Sequence, residues 1–307
     1  MMQEYDVIVI GAGPAGLTAT SYASRSNLKV LVLDKGIYGG QMNDTAEIEN
    51  YTGFNSVLGA DLSEKMYQSS MQFGAEYLYG KVIEVINEGK YKIIKTDIGD
   101  FKALVVVIAS GATHARLDVD GEEKYAGRGV SYCAVCDGSF FKDENIVVVG
   151  GGDSAIEEAV YLSNLVKKVT IIHRRDKLKA TSLLQERAFS NPKIEFNWNK
   201  VVKKITGDSN KVTAVILEDT KKGTETEIKT KGTFIYVGIK ANTQGLDKLK
   251  ITNSEGFIKT NSNMETSIPG IFAVGDVREN SIRQIASAVG DGSIAGKLLF
   301  EYIQGIV

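Results

Sequence analysis

Tyr5-Asp6-Val7-Ile8-Val9-Ile10-Gly11-Ala12-Gly13-Pro14-Ala15-Gly16 is an apolar, strand-like run that ends in three spaced glycines. A helical stretch follows to about Asn27, then a second strand from Lys29 to Leu33, closed by Asp34. Strand, glycine turn, helix, strand and acid, in this order, form the dinucleotide-binding fingerprint. Gly11 suits the tight turn, Gly13 lets backbone approach a pyrophosphate, and Gly16 lets helix and strand pack closely. The helix N-terminus presents free N–H groups and a positive dipole end to phosphates. Asp34 suits a ribose hydroxyl. A glycine-rich turn without a ligand is the plainer alternative, and the surrounding strand–turn–helix order argues against it.

The plan repeats. Asn145 to Val149 reads as a strand, Gly150-Gly151-Gly152-Asp153-Ser154-Ala155 as the turn, Asp153 to Lys167 as a helix and Lys168 to Ile172 as the next strand. The separation of Gly11 from Asp34 equals that of Gly150 from His173. Lys81 to Ile86 and Lys200 to Ile205 each precede a pair of alternating strands, at about 90–108 and 211–237. Each hairpin closes on an apolar strand that runs into glycine, at Gly111 and Gly238. A repeat of this length predicts two related α/β nucleotide-binding domains.

The copies differ where a ligand would be read. The first ends its second strand in Asp34; the second ends in His173-Arg174-Arg175-Asp176-Lys177-Leu178-Lys179. A carboxylate accepts from a ribose 2′-hydroxyl and repels a 2′-phosphate, whereas guanidinium groups bind that phosphate. The second copy is therefore expected to take NADPH, and the first a dinucleotide without the extra phosphate. A solvated surface pair is the alternative for Arg174 and Arg175. His173 is left open between a packed side chain and a ligand contact. Two dinucleotide sites in one chain imply electron transfer between them, with a flavin as the usual acceptor of a nicotinamide hydride.

Only two cysteines occur, Cys133 and Cys136, followed by Asp137-Gly138-Ser139-Phe140. At this spacing two sulfurs can close a small, reducible disulfide. Asp137 can move a proton during exchange. A zinc site would need both cysteines and both histidines, His114 and His173, of the whole chain. A purely structural disulfide would close too short a loop to stabilise much. Two inert buried thiols are the third alternative; the two nucleotide sites favour redox chemistry.

Composition adds exclusions. The net charge is −2 and there is no basic block, so nothing points to nucleic acid or an anionic membrane. No leader of secretory type and no apolar run of membrane length is read. With two cysteines, the expectation is a cytoplasmic protein.

Taken in order, these motifs resemble the low-molecular-weight thioredoxin reductases of bacteria from end to end. The resemblance rests on the two glycine motifs, Gly39-Gly40-Gln41, Glu49-Asn50, Cys133-Ala134-Val135-Cys136-Asp137, His173-Arg174-Arg175, Gly275-Asp276 and Arg283-Gln284. It implies an α/β fold of two Rossmann-like dinucleotide-binding domains (three-layer ββα). The NADPH domain, 114–244, would be inserted into a discontinuous FAD domain, 1–113 and 245–307. FAD would be held by Gly11, Gly13, Pro14, Ala15, Gly16, Asp34, Lys35, Gly40, Gln41, Asn50, Val82, Gly111, Gly275, Asp276, Arg283, Gln284 and Ile285. NADPH would be held by Gly152, Asp153, Ser154, His173, Arg174, Arg175, Lys179 and Gly238. NADPH would reduce FAD, FAD the Cys133–Cys136 disulfide, and the cysteines thioredoxin. Cys136 would lie nearest the flavin, Cys133 would attack thioredoxin, and Asp137 would be the acid/base. The resemblance further implies a homodimer and domain rotation about hinges near Thr113–Arg116 and Ala241–Gly245; with so few soft ligands in the chain, no metal is expected.

Three residues depart from the family pattern. Lys179 stands where arginine is usual, which keeps the charge but loses the planar fork and makes some NADH use more plausible. Ala241 and Thr52 stand where proline is common. Two other readings are weighed: a related flavoenzyme with a different acceptor, and a flavin-binding redox sensor, for which no output module is present.

Overall fold

A computed structural model describes residues 2–45 and 47–306. The chain forms two compact units, Met1–Thr113 with Lys240–Val307, and His114–Ile239. The return crossing falls at Lys240, earlier than the 245 expected. The two crossing segments, Ala112–His114 and Ile239–Ala241, pair as a short two-stranded ladder.

In the first unit, β1 (Gln3–Ile10) leads through the glycine turn into α1 (Pro14–Arg25) and β2 (Val30–Asp34). Next come α2 (Gly59–Met71), β3 (Glu76–Tyr79), β4 (Val82–Glu88), β5 (Tyr91–Thr96) and β6 (Gly99–Ile108). The second unit runs β7 (Val130–Ser131), α3 (Ala134–Asp137), β8 (Asn145–Gly150), α4 (Asp153–Ser163), β9 (Lys168–His173), α5 (Ser182–Phe189) and β10 (Ile194–Trp198). It closes with β11 (Lys200–Gly207), β12 (Val212–Asp219), β13 (Glu225–Lys229) and β14 (Gly232–Tyr236). The chain then returns to the first unit with β15 (Ile271–Ala273) and α6 (Ile285–Gln304).

The first unit's parallel strands lie in the order β3-β2-β1-β6-β15, and the antiparallel pair β5 and β4 continues from β6. The second unit's parallel sheet has the order β10-β9-β8-β14-β7, and β11, β12 and β13 form a separate antiparallel sheet. The two parallel orders correspond strand for strand. β15, which leads to Gly275-Asp276, therefore occupies the place that β7, which leads to the cysteines, holds in the other copy.

The layers follow from alternation along buried strands. Ile146 and Val148 of β8 pack against α4 and α5 residues such as Ile156, Leu162 and Ala188. Val147 and Val149 pack against Val202, Val215 and Leu217 of the antiparallel sheet. A strand covered on both faces has no polar positions to spare, so it reads as a continuous apolar run. Fully burying one such side chain stabilises by about 1.5–3 kcal/mol, which favours covering both faces. In the first unit α1 and α6 cross closely. A Cβ on Gly292 would overlap the Ala15 carbonyl, and one on Gly296 would stand 2.6 Å from Tyr22 Cβ.

Two helices end earlier than their periodicity suggests. α1 stops at Arg25, because Asn27 takes a left-handed conformation (φ 60°) that asparagine tolerates and a helix does not. α4 stops at Ser163 instead of Lys167, since Leu165 and Val166 both turn their N–H groups back to the Leu162 carbonyl and Lys167 pairs with Glu144. Among the described residues, no helix is long and apolar enough to cross a membrane. Nor do three His, Cys, Asp or Glu residues gather among them in a group that could hold a metal ion.

Candidate active site

In the first unit the glycine turn has one closed side and one open side. Gly11 has φ +107°, and a Cβ there would overlap the Ala109 carbonyl. A Cβ on Gly16 would overlap the Gly11 carbonyl, so both positions require glycine. At Gly13 no atom of the described residues lies within 4 Å of where a Cβ would be. Its smallness serves no internal packing, which is the state of a backbone left clear for a ligand. Gly13 also caps α1 without a side chain, and Pro14 at the first position brings no N–H. The first-turn amides are thus directed outward.

Asp34 is less free than its position suggests. Its Oδ2 accepts the Ala12 N–H at 2.6 Å and its Oδ1 accepts the Gly36 N–H at 2.8 Å. Gly11, Asp34, Lys35 and Val82 line one cavity of about 240 Å³, together with Ser110 and Asn242. Sequence reasoning missed the last pair. Ser110 Oγ donates to the Asn242 carbonyl at 2.6 Å, and Asn242 Nδ2 donates to the Ser110 carbonyl at 2.9 Å. Gly111, at φ +68°, accepts the Asn242 N–H. Gly40 adjoins Gly13, with 3.4 Å between its Cβ position and Gly13 Cα. Gln41 donates to the Ala112 carbonyl at 2.9 Å.

The late motifs join the same cradle. A Cβ on Gly275 (φ +74°) would stand 2.9 Å from Ala15 Cβ, at the start of α1. The Gly275 N–H donates to Asp291 Oδ2 at 3.0 Å, and Arg278 pairs with that same oxygen at 2.5 Å. Neither Asp291 nor Arg278 carries a motif signal. Asn50 donates to Gln284 at 3.0 Å, and Ile285 packs on Met42, Ile48 and Leu62. Burial pushes the Asp276 carboxyl above its usual range, opposed by a hydrogen bond from Ser281 and by the Arg283 charge. The Arg283 Nε is buried and has no hydrogen-bond partner among the described residues. An orphaned buried donor, an open Gly13 and outward α1 amides fit a ligand with a phosphate part and a polar, planar part. A flavin dinucleotide has both.

The second unit repeats the arrangement with different chemistry. Gly150 (φ +152°) lies against the Tyr236 carbonyl, and Gly152 is as open as Gly13. α4 starts at Asp153 with Gly152 as its cap, and the Asp153 carboxylate accepts the Thr181 N–H at 2.6 Å. Ser154, the next residue of α4, is exposed. Arg174, Arg175 and Lys179 are exposed beyond the end of β9. The Lys179 N–H also donates to the Gly151 carbonyl at 2.7 Å, tying the basic segment to the glycine loop. His173 is buried, and a Cβ on Gly151 would overlap its ring. Its Nε2 lies 2.9 Å from the Lys177 carbonyl. Burial lowers its pKa first, with lesser effects from Arg175 and Arg174 in the same direction and two backbone hydrogen bonds opposing. The side chain is a neutral support beneath the loop. Gly238 (φ +138°) ends the segment after β14.

Cys133 and Cys136 form a disulfide with Cα atoms 5.3 Å apart. Cys133 caps α3, and its Sγ accepts the Cys136 N–H at 3.2 Å. Asp137 is mostly buried, and burial raises its pKa against a hydrogen bond from Ser131. Ser131 also accepts the Cys133 N–H at 3.1 Å, so one hydroxyl braces both the acid and the disulfide loop. Val135 and Phe140 are exposed beside the pair.

The arrangement has parallels in known proteins. The pyridine nucleotide-disulphide oxidoreductase family matches residues 5–292. A thioredoxin reductase of Bacillus subtilis (strain 168) is 55% identical over 300 residues, 98% of this chain and 95% of that one. A thioredoxin reductase of Listeria innocua is 53% identical over 98% of this chain and 94% of its own. The crystal structure of thioredoxin reductase from Streptococcus pyogenes MGAS5005 is 50% identical and superposes with a TM-score of 0.96, covering 99% of this chain and 100% of that one.

Proposed function

Belonging to the pyridine nucleotide-disulphide oxidoreductases and, within them, to the thioredoxin reductases, the chain is a thioredoxin-disulfide reductase that uses FAD and NADPH, and we propose that Cys133 and Cys136 are its redox centre, fed from FAD on the first unit and NADPH on the second. One observation carries this reading. The Cys133–Cys136 disulfide stands at the end of β7 in the same unit as an open glycine loop tied to an exposed basic segment.

FAD, when bound, supplies a two-electron acceptor and donor between nicotinamide and disulfide. The residues that would hold it are Gly13 to Gly16 at the α1 amides, Asp34 and Lys35 at the ribose end, and Gly40, Gln41, Asn50, Val82, Gly111, Gly275, Asp276, Arg283, Gln284 and Ile285 around the rest. The orphaned Arg283 Nε supports a polar flavin edge beside it. NADPH would rest its pyrophosphate on Gly152, Asp153 and Ser154 and its 2′-phosphate on Arg174, Arg175 and Lys179, with Gly238 close by and His173 steadying the loop from below.

Once reduced, Cys133 gains thiolate character from the Cys136 N–H that its sulfur already accepts. It attacks one sulfur of the thioredoxin disulfide, and the other thioredoxin sulfur leaves as a thiolate and takes a proton. Cys136 then attacks Cys133 and releases the second thioredoxin thiol. Two protein thiols become a disulfide while one thioredoxin disulfide becomes two thiols. Asp137, held up by burial, keeps a proton within reach of this exchange. The working form is proposed to be a homodimer in the cytoplasm.

The test is purification with flavin absorbance, followed by NADPH oxidation in the presence of thioredoxin. Turnover that requires thioredoxin supports the reading. NADPH oxidation indifferent to thioredoxin, yet fast with another acceptor, would favour a sister flavoenzyme.

A further inference from the structure

Tyr132 directly precedes Cys133, and it is held by partners that no motif marks. Its hydroxyl donates to Glu122 Oε1 at 2.7 Å. Its ring stacks on His114, the first residue of the second unit, with centroids 5.5 Å and planes 26° apart. The same Glu122 carboxylate accepts the Leu117 N–H at 3.0 Å through Oε1 and the Asp118 N–H at 2.8 Å through Oε2. Glu122 is only 3% exposed, and all three of these donors are neutral. Burying a carboxylate without a cation is costly, so an apolar side chain would serve packing better. What the carboxylate offers is two accepting oxygens that gather three donors.

Glu122 is itself firmly placed. A Cβ on Gly121 (φ +91°) would overlap the Ile205 carbonyl of β11, and the Ile205 N–H donates to the Asp120 carbonyl at 2.8 Å. The backbone before Glu122 is thus locked against the antiparallel sheet. Asp118 takes a left-handed conformation (φ 57°), which the bond from its N–H to Glu122 supports. On the other side of Tyr132, Ser131 is paired in the parallel sheet with Phe234 of β14, and its Oγ accepts the Cys133 N–H at 3.1 Å. Ser131 is fixed by the sheet, Tyr132 by Glu122, and the chain entering Cys133 by both.

We propose that Glu122 and Tyr132 are positioning residues of the redox centre, fixing the backbone that enters Cys133 and so aiming its sulfur at an incoming disulfide. The need follows from the exchange step. The Cys133 thiolate forms a bond to one sulfur of the thioredoxin disulfide as the bond between the two thioredoxin sulfurs breaks. The leaving sulfur departs with the electron pair and takes a proton. Such a displacement needs the reacting sulfurs aligned, and a misplacement of about 1 Å can cost about 10²-fold in rate.

The inference rests on the attacking role proposed for Cys133, and the experiment separates the two. Tyr132→Phe keeps the ring that stacks on His114 and leaves Glu122 its two backbone donors. The flavin-loaded wild type, Tyr132→Phe, Glu122→Gln and the double variant are compared, with flavin content and melting temperature to establish folding. Three rates are read: flavin reduction by NADPH, alkylation of the reduced cysteines by iodoacetamide, and single-turnover oxidation of the reduced pair by saturating thioredoxin. Alkylation reports the reactivity of the sulfur and makes little demand on its direction, whereas exchange with thioredoxin demands both. Tyr132→Phe should slow oxidation by thioredoxin about tenfold and leave the other two rates unchanged. Glu122→Gln, with one accepting oxygen for three donors, should be slowed at least as much. The double variant should be no slower than Glu122→Gln, since both substitutions break the same bond. Oxidation by thioredoxin at the wild-type rate in Tyr132→Phe, a parallel loss in its alkylation, or a double variant slowed by the product of the two single effects would overturn the proposal. Should Glu122→Gln fail to fold, Tyr132→Phe alone decides. If Cys133→Ser still reduced thioredoxin, the failure would lie instead in the role given to Cys133.

Discussion

Ala12 donates its backbone N–H to Asp34 Oδ2 at 2.6 Å, so the acid at the end of β2 grips the glycine turn that it faces. The same two positions touch in the second unit, where the His173 ring lies directly against Gly151. In both copies the residue that ends the second strand steadies the residue after the first glycine. One does so with charge, the other with a neutral ring. Asp34→Ala should therefore cost more than a ribose contact. It leaves the Ala12 and Gly36 amides without their acceptor, at about 1–3 kcal/mol each where water cannot replace it. Flavin retained through purification should fall sharply and the melting temperature should drop. Asp34→Asn, which keeps an acceptor, should lose less of both.

Gly151→Ala should displace His173 and loosen the loop at α4. The expected result is a raised KM for NADPH with flavin content unchanged. His173 also gives a pH signature. Its folded pKa is lowered, so below about 6.5 the unfolded chain binds a proton that the folded chain refuses. The stability it allows is present above that range and declines as pH falls through it. His173→Asn should flatten that part of a plot of melting temperature against pH.

Arg174→Gln and Arg175→Gln should each raise the KM for NADPH by about 10- to 100-fold, the value of a charge-assisted hydrogen bond of about 1.5–3 kcal/mol. The KM for NADH should hardly move, because it has no 2′-phosphate. Lys179→Arg should widen the gap between the two coenzymes by adding a planar fork. Steady-state kinetics with both coenzymes decides this. Equal effects on NADH would place the basic segment elsewhere in the binding mode.

Asp137→Asn should slow thioredoxin reduction by about 10²- to 10⁴-fold, the usual range for a lost acid/base group. It should also stabilise the protein. Burial raises the Asp137 pKa above its unfolded value, so its protonated form favours folding at low pH and that benefit is lost as pH rises through the folded pKa. At pH 8 the wild type holds a poorly solvated carboxylate, and the neutral amide removes it. A variant both slower and higher-melting at pH 8 is the expected outcome. A lower melting temperature at pH 8 would contradict the desolvation argument.

The repeated α/β plan was legible because parallel, two-faced strands and glycine turns leave marks within short windows. Asp34, Arg174, Arg175 and the cysteines stood out for the same reason. The remainder depends on contacts between segments far apart in sequence. Tyr236 reads as one more apolar strand residue, and only the fold packs it on the core that includes Ala134 of α3. The clamp of Arg278 and Asp291 on Gly275 lies between two motifs and belongs to neither. His173 could not be resolved in advance, because a histidine beside two arginines serves equally as a ligand contact or a support. The early stop of α4 reflects Lys167 pairing with Glu144, a partner on another segment.

The most direct measurement is a comparison of the wild type with Cys136→Ser and Cys133→Ser, each loaded with FAD and mixed with NADPH and thioredoxin. In both variants NADPH should still bleach the flavin absorbance at the wild-type extent, while catalytic thioredoxin reduction should vanish. Thioredoxin reduction that persists at a wild-type rate in either serine variant would show that electrons do not pass through the Cys133–Cys136 pair.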